Sequence, residues 1–304
     1  MSTLMDVLTF LLTDGVLLVS LFLLITWLVL LVQQLAVGRA IMTRLTAHGL
    51  LSGTSLAALG GAVTPFCSCS TVPVLSGLLR ARVRLSACFT FLIASPVINE
   101  GVIILLAGTT HLQSLVAFIM IAALLSIGAG LAVEGMGMGR FLRPLEEECS
   151  IEGYVGNHAA TPRPGAAARI AWQGAIHELR QVTPYLAIGL LIGAAIYGFV
   201  PTTWLLSWNA TMPPAWMIPL AALIALPVYV SPVMLVPIGF ALLEKGLGIG
   251  ALTAFLVAAA GSSLPELILL QRLFKWPLLL AHVAAVWLAA VLLGYAADWS
   301  THSF

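Results

Sequence analysis

The sequence contains few charged residues: 8% of its 304 residues are Asp, Glu, Lys or Arg, against about one-quarter in soluble domains. Hydrophobic residues make up 61% of the chain, and several apolar runs reach the roughly 20 residues that a membrane-spanning helix needs. The net charge of +1 does not indicate a nucleic-acid partner. A soluble globular domain is therefore excluded, and we expect an all-α integral membrane protein.

Three further absences narrow the function. The sequence has no G-x-x-x-x-G-K-[ST] loop, so it does not predict an ATP-driven pump. Its four cysteines show no C-x-x-C redox motif and no spacing typical of a zinc finger or a disulfide framework. Residues 1–33 lack the basic segment and cleavage site of a signal peptide, so we expect their apolar run to be a mature transmembrane helix.

Prolines interrupt two of the apolar segments. The segments lie at about 7–33, 50–79, 85–107, 112–135, 181–201, 214–243, 249–270 and 276–297. Those at 50–79 and 214–243 would form continuous helices of about 45 Å, longer than a hydrocarbon core of about 30 Å. Each is predicted to be two short helices joined by irregular backbone, which is tolerated at membrane depth only where protein or water covers it.

The basic residues predict the orientation, because cytoplasmic loops are rich in Lys and Arg. Twelve of the thirteen fall into four clusters: Arg39 and Arg44; Arg80, Arg82 and Arg84; Arg140, Arg143, Arg163, Arg169 and Arg180; Arg272 and Lys275. If the first helix runs from outside to inside, all four clusters are cytoplasmic and Lys245 alone is external. The C-terminus is then external, and the two broken segments enter from opposite sides of an inner (cell) membrane.

Opposite entry indicates an inverted repeat. Pro65–Gly77 aligns without gaps with Pro227–Gly239, and "ASPVINE" (94–100) resembles "AGSSLPE" (260–266). We expect a first membrane repeat at 1–135, a cytoplasmic linker at 136–177 and a second repeat at 178–304. Each half is predicted to have about three transmembrane helices and one broken or re-entrant hairpin, giving eight to ten membrane segments. Paired broken segments are typical of secondary transporters with a midplane substrate site.

Several polar residues fall near that predicted midplane. From the helical rise, Ser95 lies about 15 Å and Ser262 about 20 Å into the membrane. Cys67 and Cys69 flank Ser68 between two prolines, where irregular backbone would bring both thiols together. Thiolates are soft ligands that suit soft metals and metalloids. The alternative interpretation is two small packed cysteines, which is also the role expected for Cys88.

Two acidic residues lie within apolar segments. A carboxylate at a helix centre costs about 2.5 to 3.5 kcal/mol on insertion scales, so Glu100 and Glu266 should face a cavity or a partner. Protonation would also relieve this cost, which suggests proton coupling; the alternative is a capping role near the membrane surface. Asn99 is expected either to bind the backbone freed at Pro96 or to contact substrate. His282 is interpreted as a packing residue.

The runs "TPFCSCSTVPVLSGLL" (64–79), "FLIASPVINE" (91–100), "PVYV" (227–230) and "LPEL" (264–267), together with Pro237, resemble the ArsP-type predicted permeases. That family includes organoarsenical efflux permeases. The resemblance implies export of trivalent methylated arsenicals or a related metalloid, with Cys67 and Cys69 as ligands. Where members often carry a second cysteine pair, this chain has Ser231 and Val233, which argues against a site of three thiolates. Tyr229 and Ser231 are predicted lining residues.

Two other functions fit the sequence. One is a transporter of a copper or zinc ion, or of another small solute, with structural cysteines. The other is a membrane thiol oxidoreductase, although C-x-C is not the usual redox motif and no haem or quinone ligand pair is evident. We therefore predict a transporter and not an enzyme, with no cofactor. Its expected partners are a small-molecule or metalloid substrate and the lipid bilayer, with no nucleic acid.

Overall fold

The structure, a computed structural model, describes residues 49–63, 68–109, 112–143, 213–228 and 246–302. It also describes scattered helical positions between 16 and 31, between 165 and 183, and at 239, 242 and 243. Within these residues the regular elements are helices, and one isolated bridge joins Leu142 to Phe274. The prediction of an all-α protein is confirmed for this part of the chain.

The main helices follow the apolar segments. They are α1 Leu50–Val63, α2 Ser68–Arg80, α3 Leu85–Val97, α4 Glu100–Thr109, α5 Leu112–Gly135, α6 Pro214–Ala225, α7 Ile249–Gly261, α8 Leu264–Leu270 and α9 Trp276–His302. Within the described residues, three stretches are long and apolar enough to cross a membrane: 112–135, 249–270 and 276–300. The pair α3 and α4, bent by 46°, is either a fourth, broken span or a re-entrant loop. The predicted total of eight to ten segments depends on residues outside the described ranges and stays a prediction.

The segment 50–79 divides into α1 and α2, with residues 64–67 outside the described part. The expectation of irregular backbone between the two prolines, Pro65 and Pro73, is wrong from Ser68 onward, because α2 is already helical at Ser68 and continues through Pro73. Since proline has no N–H, residue 73 donates no helical hydrogen bond to the carbonyl of Cys69. Membrane helices tolerate such a gap.

The helix pattern of the first half recurs in the second. Four helices of the second half begin at a constant number of residues after their counterparts in the first half: α6 after α1, α7 after α3, α8 after α4 and α9 after α5. This interval equals the distance along the chain from Leu85 to Ile249. The packing recurs too, because α3 packs against α1 and α5 as α7 packs against α6 and α9.

This interval differs slightly from both of those inferred from the sequence: the alignment of Pro65 with Pro227 gave a shorter one, and the pairing of "ASPVINE" with "AGSSLPE", which places Glu100 opposite Glu266, gave a longer one. By the helix starts, Glu100 corresponds to Leu264, and Glu266 corresponds to Val102. The two acids are therefore not equivalent positions of the two halves.

Close glycine contacts recur at the same interval. A Cβ added to Gly130 on α5 would collide with the Ser86 carbonyl oxygen on α3. A Cβ added to Gly294 on α9 would lie 2.8 Å from the Gly250 carbonyl oxygen on α7. Small residues at such crossings let membrane helices approach closely. The helix pairs α3/α5 and α7/α9 therefore use the same contact.

A carboxylate one turn beyond each glycine lies at the start of the neighbouring helix. Glu134 Oε2 accepts a hydrogen bond of 2.9 Å from the Ser86 backbone N–H in the first turn of α3. Asp298 Cβ lies 2.7 Å from the position of a Cβ on Gly250, in the first turn of α7. The first N–H groups of a helix lack helical partners and favour negative charge, so these acids stabilise the two helix starts.

Backbone hydrogen bonds bring the end of the first half and the α8–α9 turn together. Arg143 N–H donates to the Leu273 carbonyl, and Lys275 N–H donates to the Phe141 carbonyl, both at 2.8 Å. Leu85, at the start of α3, lies 3.9 Å from the Cβ position of Gly139. Three basic clusters predicted to be cytoplasmic, around residues 82, 141 and 273, therefore share one end of the bundle. The start of α7 lies at the far end of α9, next to Asp298.

Candidate functional site

The helices α3 and α7 end against each other inside the bundle. Val97 Cγ2 lies 3.6 Å from the position of a Cβ on Gly261, and these are the last residues of the two helices. Val286 on α9 closes the other side, with its Cγ1 at 2.8 Å from the same position. A larger side chain than glycine would force these helices apart. The backbone breaks that follow α3 and α7 are thus neighbours.

Asn99 organises the break after α3. Its side-chain N–H donates to the Pro96 carbonyl at 2.8 Å, and its Oδ1 accepts from the Val102 N–H at 2.9 Å. These bonds satisfy groups that the end of α3 and the start of α4 leave open. Asn99 therefore has the first of its two predicted roles, binding freed backbone; contact with a substrate stays a prediction.

Ser95, near the end of α3, is 1% exposed, and its hydroxyl forms no hydrogen bond with any residue of the described ranges. Gly61 on α1 packs directly over it, since a Cβ there would lie 3.0 Å from the Ser95 backbone nitrogen. A buried hydroxyl without a partner costs about 1 to 3 kcal/mol. Ser95 is thus available to a ligand or to water, and its predicted depth in the membrane stays a prediction.

The break after α7 contains two more such hydroxyls. Ser262 and Ser263 have extended backbone before α8, which starts with Leu264 and Pro265. Both side chains are at most 1% exposed, and within the described residues neither hydroxyl has a hydrogen-bond partner. The sequence predicted Ser262 as a lining residue but did not single out Ser263. Adjacent side chains on extended backbone point in opposite directions, so the two hydroxyls face different surroundings.

Glu266 on α8 and His282 on α9 form a buried pair. Both side chains are completely buried, and His282 Nε2 lies 3.6 Å from Glu266 Oε1. The Phe89 ring on α3 meets the imidazole edge to face at a centroid distance of 6.1 Å. Glu266 was a predicted site residue, whereas its pairing with His282 was not predicted. The sequence feature that could have indicated this pairing is the presence of one ionisable residue in each of two adjacent apolar helices.

The first broken segment adjoins this region through α2, which contacts α8. Cys69 is the second residue of α2. Cys67, Tyr229 and Ser231, and the side chains of Ser68, Cys69 and Glu100, lie outside the described part, so the arrangement of these predicted site residues stays a prediction.

The remaining described cysteine has the packing role predicted for it. Cys88 is fully buried, and its thiol contacts the Val83 carbonyl oxygen at 3.8 Å. Within the described residues, no three His, Cys, Asp or Glu side chains come together to hold a metal ion. The described part of the site is therefore a set of hydroxyls with one acid–imidazole pair.

Comparison with known families decides the class of protein. The profile of the ArsP-type predicted permeases matches residues 3–299. The chain belongs to this family. No curated protein and no solved structure matches it. The match confirms the resemblance inferred from the sequence runs in both parts of the chain, and it covers nearly the whole chain.

Membership of this family assigns the membrane-length helices to a multi-pass transporter acting on a small molecule. In this permease the polar groups of both helix breaks lie within an otherwise apolar core. Irregular backbone and buried polar side chains at such a position are typical of the substrate pathway of a transporter.

Proposed function

We propose that this permease is a secondary transporter that exports a thiophilic small solute, namely trivalent methylated arsenicals or a related metalloid. The observation that carries the proposal is the contact between the ends of α3 and α7, at Val97 and Gly261, beside the buried hydroxyls of Ser95 and Ser262. Broken helices that meet inside a membrane bundle are where transporters bind substrate.

The inverted repeat is part of the proposal. The constant interval between equivalent helix starts and the recurring glycine contacts support two related halves. The opposite placement of the two helix starts supports their inversion: Leu85 lies near Gly139 at the basic end, whereas Gly250 lies against Asp298 at the other. In such an arrangement, one half rocks against the other to open the site alternately to each side.

The orientation follows from charge. The basic clusters around residues 82, 141 and 273 share one end of the bundle, supported by the hydrogen bonds of Arg143 and Lys275. Because short cytoplasmic loops are enriched in Lys and Arg, we assign this end to the cytoplasm of a cell with an inner membrane. The linker 136–177 is then cytoplasmic and the C-terminus external.

The substrate class rests on the thiol pair. Cys67 and Cys69 offer two soft ligands. Cys69 is the second residue of α2, a helix that contacts α8 beside the second break, and Cys67 precedes α2 in the sequence. Ser68, Ser95, Asn99, Tyr229, Ser231 and Ser262 complete the proposed lining. A soft, partly hydroxylated metalloid suits a site that combines thiolates with hydroxyls. Glu100 or Glu266 carries the coupling proton, and no cofactor or enzymatic step is required.

The proposal is tested by uptake into everted membrane vesicles, with methylarsenite, arsenite, copper(I) and zinc(II) supplied separately and an imposed pH difference as the driving force. We expect methylarsenite to accumulate in vesicles that contain the permease and not in vesicles without it. Accumulation of a metal ion in place of methylarsenite would favour the alternative transporter, and absence of uptake for the whole panel would contradict the proposal.

A further inference from the structure

Glu266 and His282 are two fully buried ionisable side chains that face each other across α8 and α9, 3.6 Å apart. This distance exceeds a hydrogen bond of about 2.7 to 3.2 Å by little enough that a small side-chain movement would close it. A proton can therefore pass between the carboxyl oxygen and the imidazole nitrogen with a change in one O–H and one N–H bond. The pair thus has the geometry of a proton-exchange site.

The surroundings restrict the charge of this pair. Phe89 covers the imidazole, and Val97 and Val286 close around the neighbouring Gly261. An isolated charge in such an environment is strongly disfavoured. With one shared proton the pair is neutral overall, either as a protonated acid with imidazole or as a carboxylate with imidazolium. Losing that proton leaves one buried negative charge, so proton loss must be balanced by a change elsewhere in the site.

Within the described helices, few other titratable groups lie near the pair. The helices α1, α6 and α7 contain none, and α8 contains only Glu266. On α3 the titratable residue is Cys88, whose thiol faces the Val83 carbonyl. The other candidates are Cys69 and Arg80 on α2, Glu100 on α4, Glu134 at the far end of α5, and Tyr295, Asp298 and His302 near the end of α9. Glu134 contacts the start of α3.

The first half of the chain shows that the fold does not need this pair. By the alignment of helix starts, Glu266 corresponds to Val102 and His282 to Phe118. Both of these residues are buried, at 0% and 4% exposure. Two apolar side chains thus occupy the equivalent positions of the equivalent helices. If positions 266 and 282 served only the packing of the helices, valine and phenylalanine would fill them as they fill the equivalent positions of the first half.

We propose that Glu266 and His282 together form the proton-exchange site that couples this permease to the proton gradient, and that the equivalent positions of the first half, Val102 and Phe118, do not form such a site. The inference rests on the proposed transport function and deepens it, because it identifies the coupling ion as a proton and adds His282. During a transport cycle, a proton from the aqueous phase on one side binds the pair, and the same proton leaves to the other side.

The test uses purified permease in liposomes, with methylarsenite as probe and two assays. The first measures exchange of labelled for unlabelled methylarsenite at equal pH on both sides, which needs no net proton movement. The second measures accumulation driven by an imposed pH difference, for which one coupled proton gives about tenfold accumulation per pH unit. The wild type is expected to perform both.

Two variants remove the site in different ways. Glu266→Gln preserves the shape of the side chain without a titrating group. The double variant Glu266→Val with His282→Phe installs the residues that the first half has at the equivalent positions. Both are expected to retain exchange and to lose accumulation entirely. Glu134→Gln, which changes a carboxylate outside the pair, is the matched control and should retain both activities.

A spectroscopic measurement covers the case in which a variant fails to transport at all. Infrared difference spectra of the purified wild type between two pH values should show a carboxylic-acid band that Glu266→Gln removes. In His282→Phe the band should be present in the absorption spectrum at both pH values and absent from the difference spectrum, because the carboxyl has lost its proton partner. A merely structural histidine would leave the pH dependence of this band unchanged, and that result would overturn the proposal.

The transport results distinguish failure of the proposed proton site from failure of the proposed transport function. Accumulation retained in both variants would overturn the proton site while leaving the transporter intact. Accumulation that follows an imposed sodium gradient in place of the pH gradient would also overturn it, since the acid and the serine hydroxyls would then bind a metal cation. Absence of methylarsenite exchange in the wild type would instead contradict the proposed function.

Discussion

Val97 and Gly261, the final residues of α3 and α7, occupy equivalent positions in the two halves and lie side by side, with Val97 Cγ2 3.6 Å from the Cβ position of Gly261. Equivalent residues that touch must lie close to the axis relating two repeats. The axis of the proposed inverted repeat therefore passes between the two helix breaks. A substrate bound there contacts both halves at once, as alternating access requires.

The close contact of α7 with α9 predicts a specific loss of stability. In Gly294→Ala the new Cβ would lie 2.8 Å from the Gly250 carbonyl oxygen and 2.9 Å from Ala254 Cβ. Neither atom can rotate away, because one belongs to the helix backbone and the other is fixed to it. We expect a destabilisation of about 1 to 3 kcal/mol, typical of overpacking, measured as a lower Tm of the purified protein in detergent.

The matched control for this prediction is Gly128→Ala on α5. No atom lies within 4 Å of a Cβ at that position, and alanine favours helix over glycine by about 1 kcal/mol. Its Tm should equal or exceed that of the wild type. Equal Tm values for the Gly128 and Gly294 variants would show that α7 and α9 do not approach as closely as described.

The hydrogen bond from the Ser86 N–H to Glu134 predicts a helix-capping effect across two helices. Glu134→Ala removes the acceptor and should cost about 0.5 to 2 kcal/mol, the usual value for a lost N-terminal cap. Glu134→Gln keeps an acceptor oxygen and should lose less. Thermal unfolding followed by circular dichroism checks both. The prediction fails if alanine and glutamine unfold at the wild-type temperature.

Local chemistry made part of this fold predictable from the sequence. The freed backbone near Asn99 was expected, because Pro96 removes a backbone donor. The membrane class followed from composition alone. The helical course of α2 through Pro73 was missed, because a single proline in a membrane helix disrupts less than the two-proline pattern implied.

The features that the sequence did not predict depend on tertiary packing. The pairing of Glu266 with His282 depends on how α8 folds back against α9, and no local pattern in either helix encodes it. The interval between the two halves was slightly misjudged, because short motifs were aligned without knowledge of the helix starts. The similarity of "ASPVINE" to "AGSSLPE" paired Glu100 with Glu266, whereas the helix starts place Glu266 opposite Val102.

The shared basic end predicts the result of reporter fusions. A reporter inserted after Arg84, within the linker 136–177 or after Arg272 should report a cytoplasmic position. A reporter at the C-terminus should report an external one, because α9 runs from the basic end to the opposite end. Alkaline phosphatase and green fluorescent protein fusions distinguish the two sides. A cytoplasmic C-terminus would contradict the inverted repeat.

The thiol pair predicts a non-additive mutational pattern. One thiolate gives a soft solute a single bond, whereas two thiolates held by the same segment bind it with much of the ordering already provided by the fold. Either Cys67→Ser or Cys69→Ser should therefore abolish most transport, and the double change should be little worse. Transport affinity should also fall at low pH, because binding through thiols must displace protons.

The most direct measurement is methylarsenite uptake into everted vesicles that contain equal amounts of wild type, Cys67→Ser, Cys69→Ser or the double variant. Serine nearly preserves side-chain volume and leaves Pro65 and Pro73 in place, so equal membrane levels isolate the chemistry of the ligands. The proposed thiol site predicts uptake by the wild type and near-complete loss in all three variants. Uptake that survives in the double variant would show that the cysteines are not ligands, and would contradict the proposed thiophilic site.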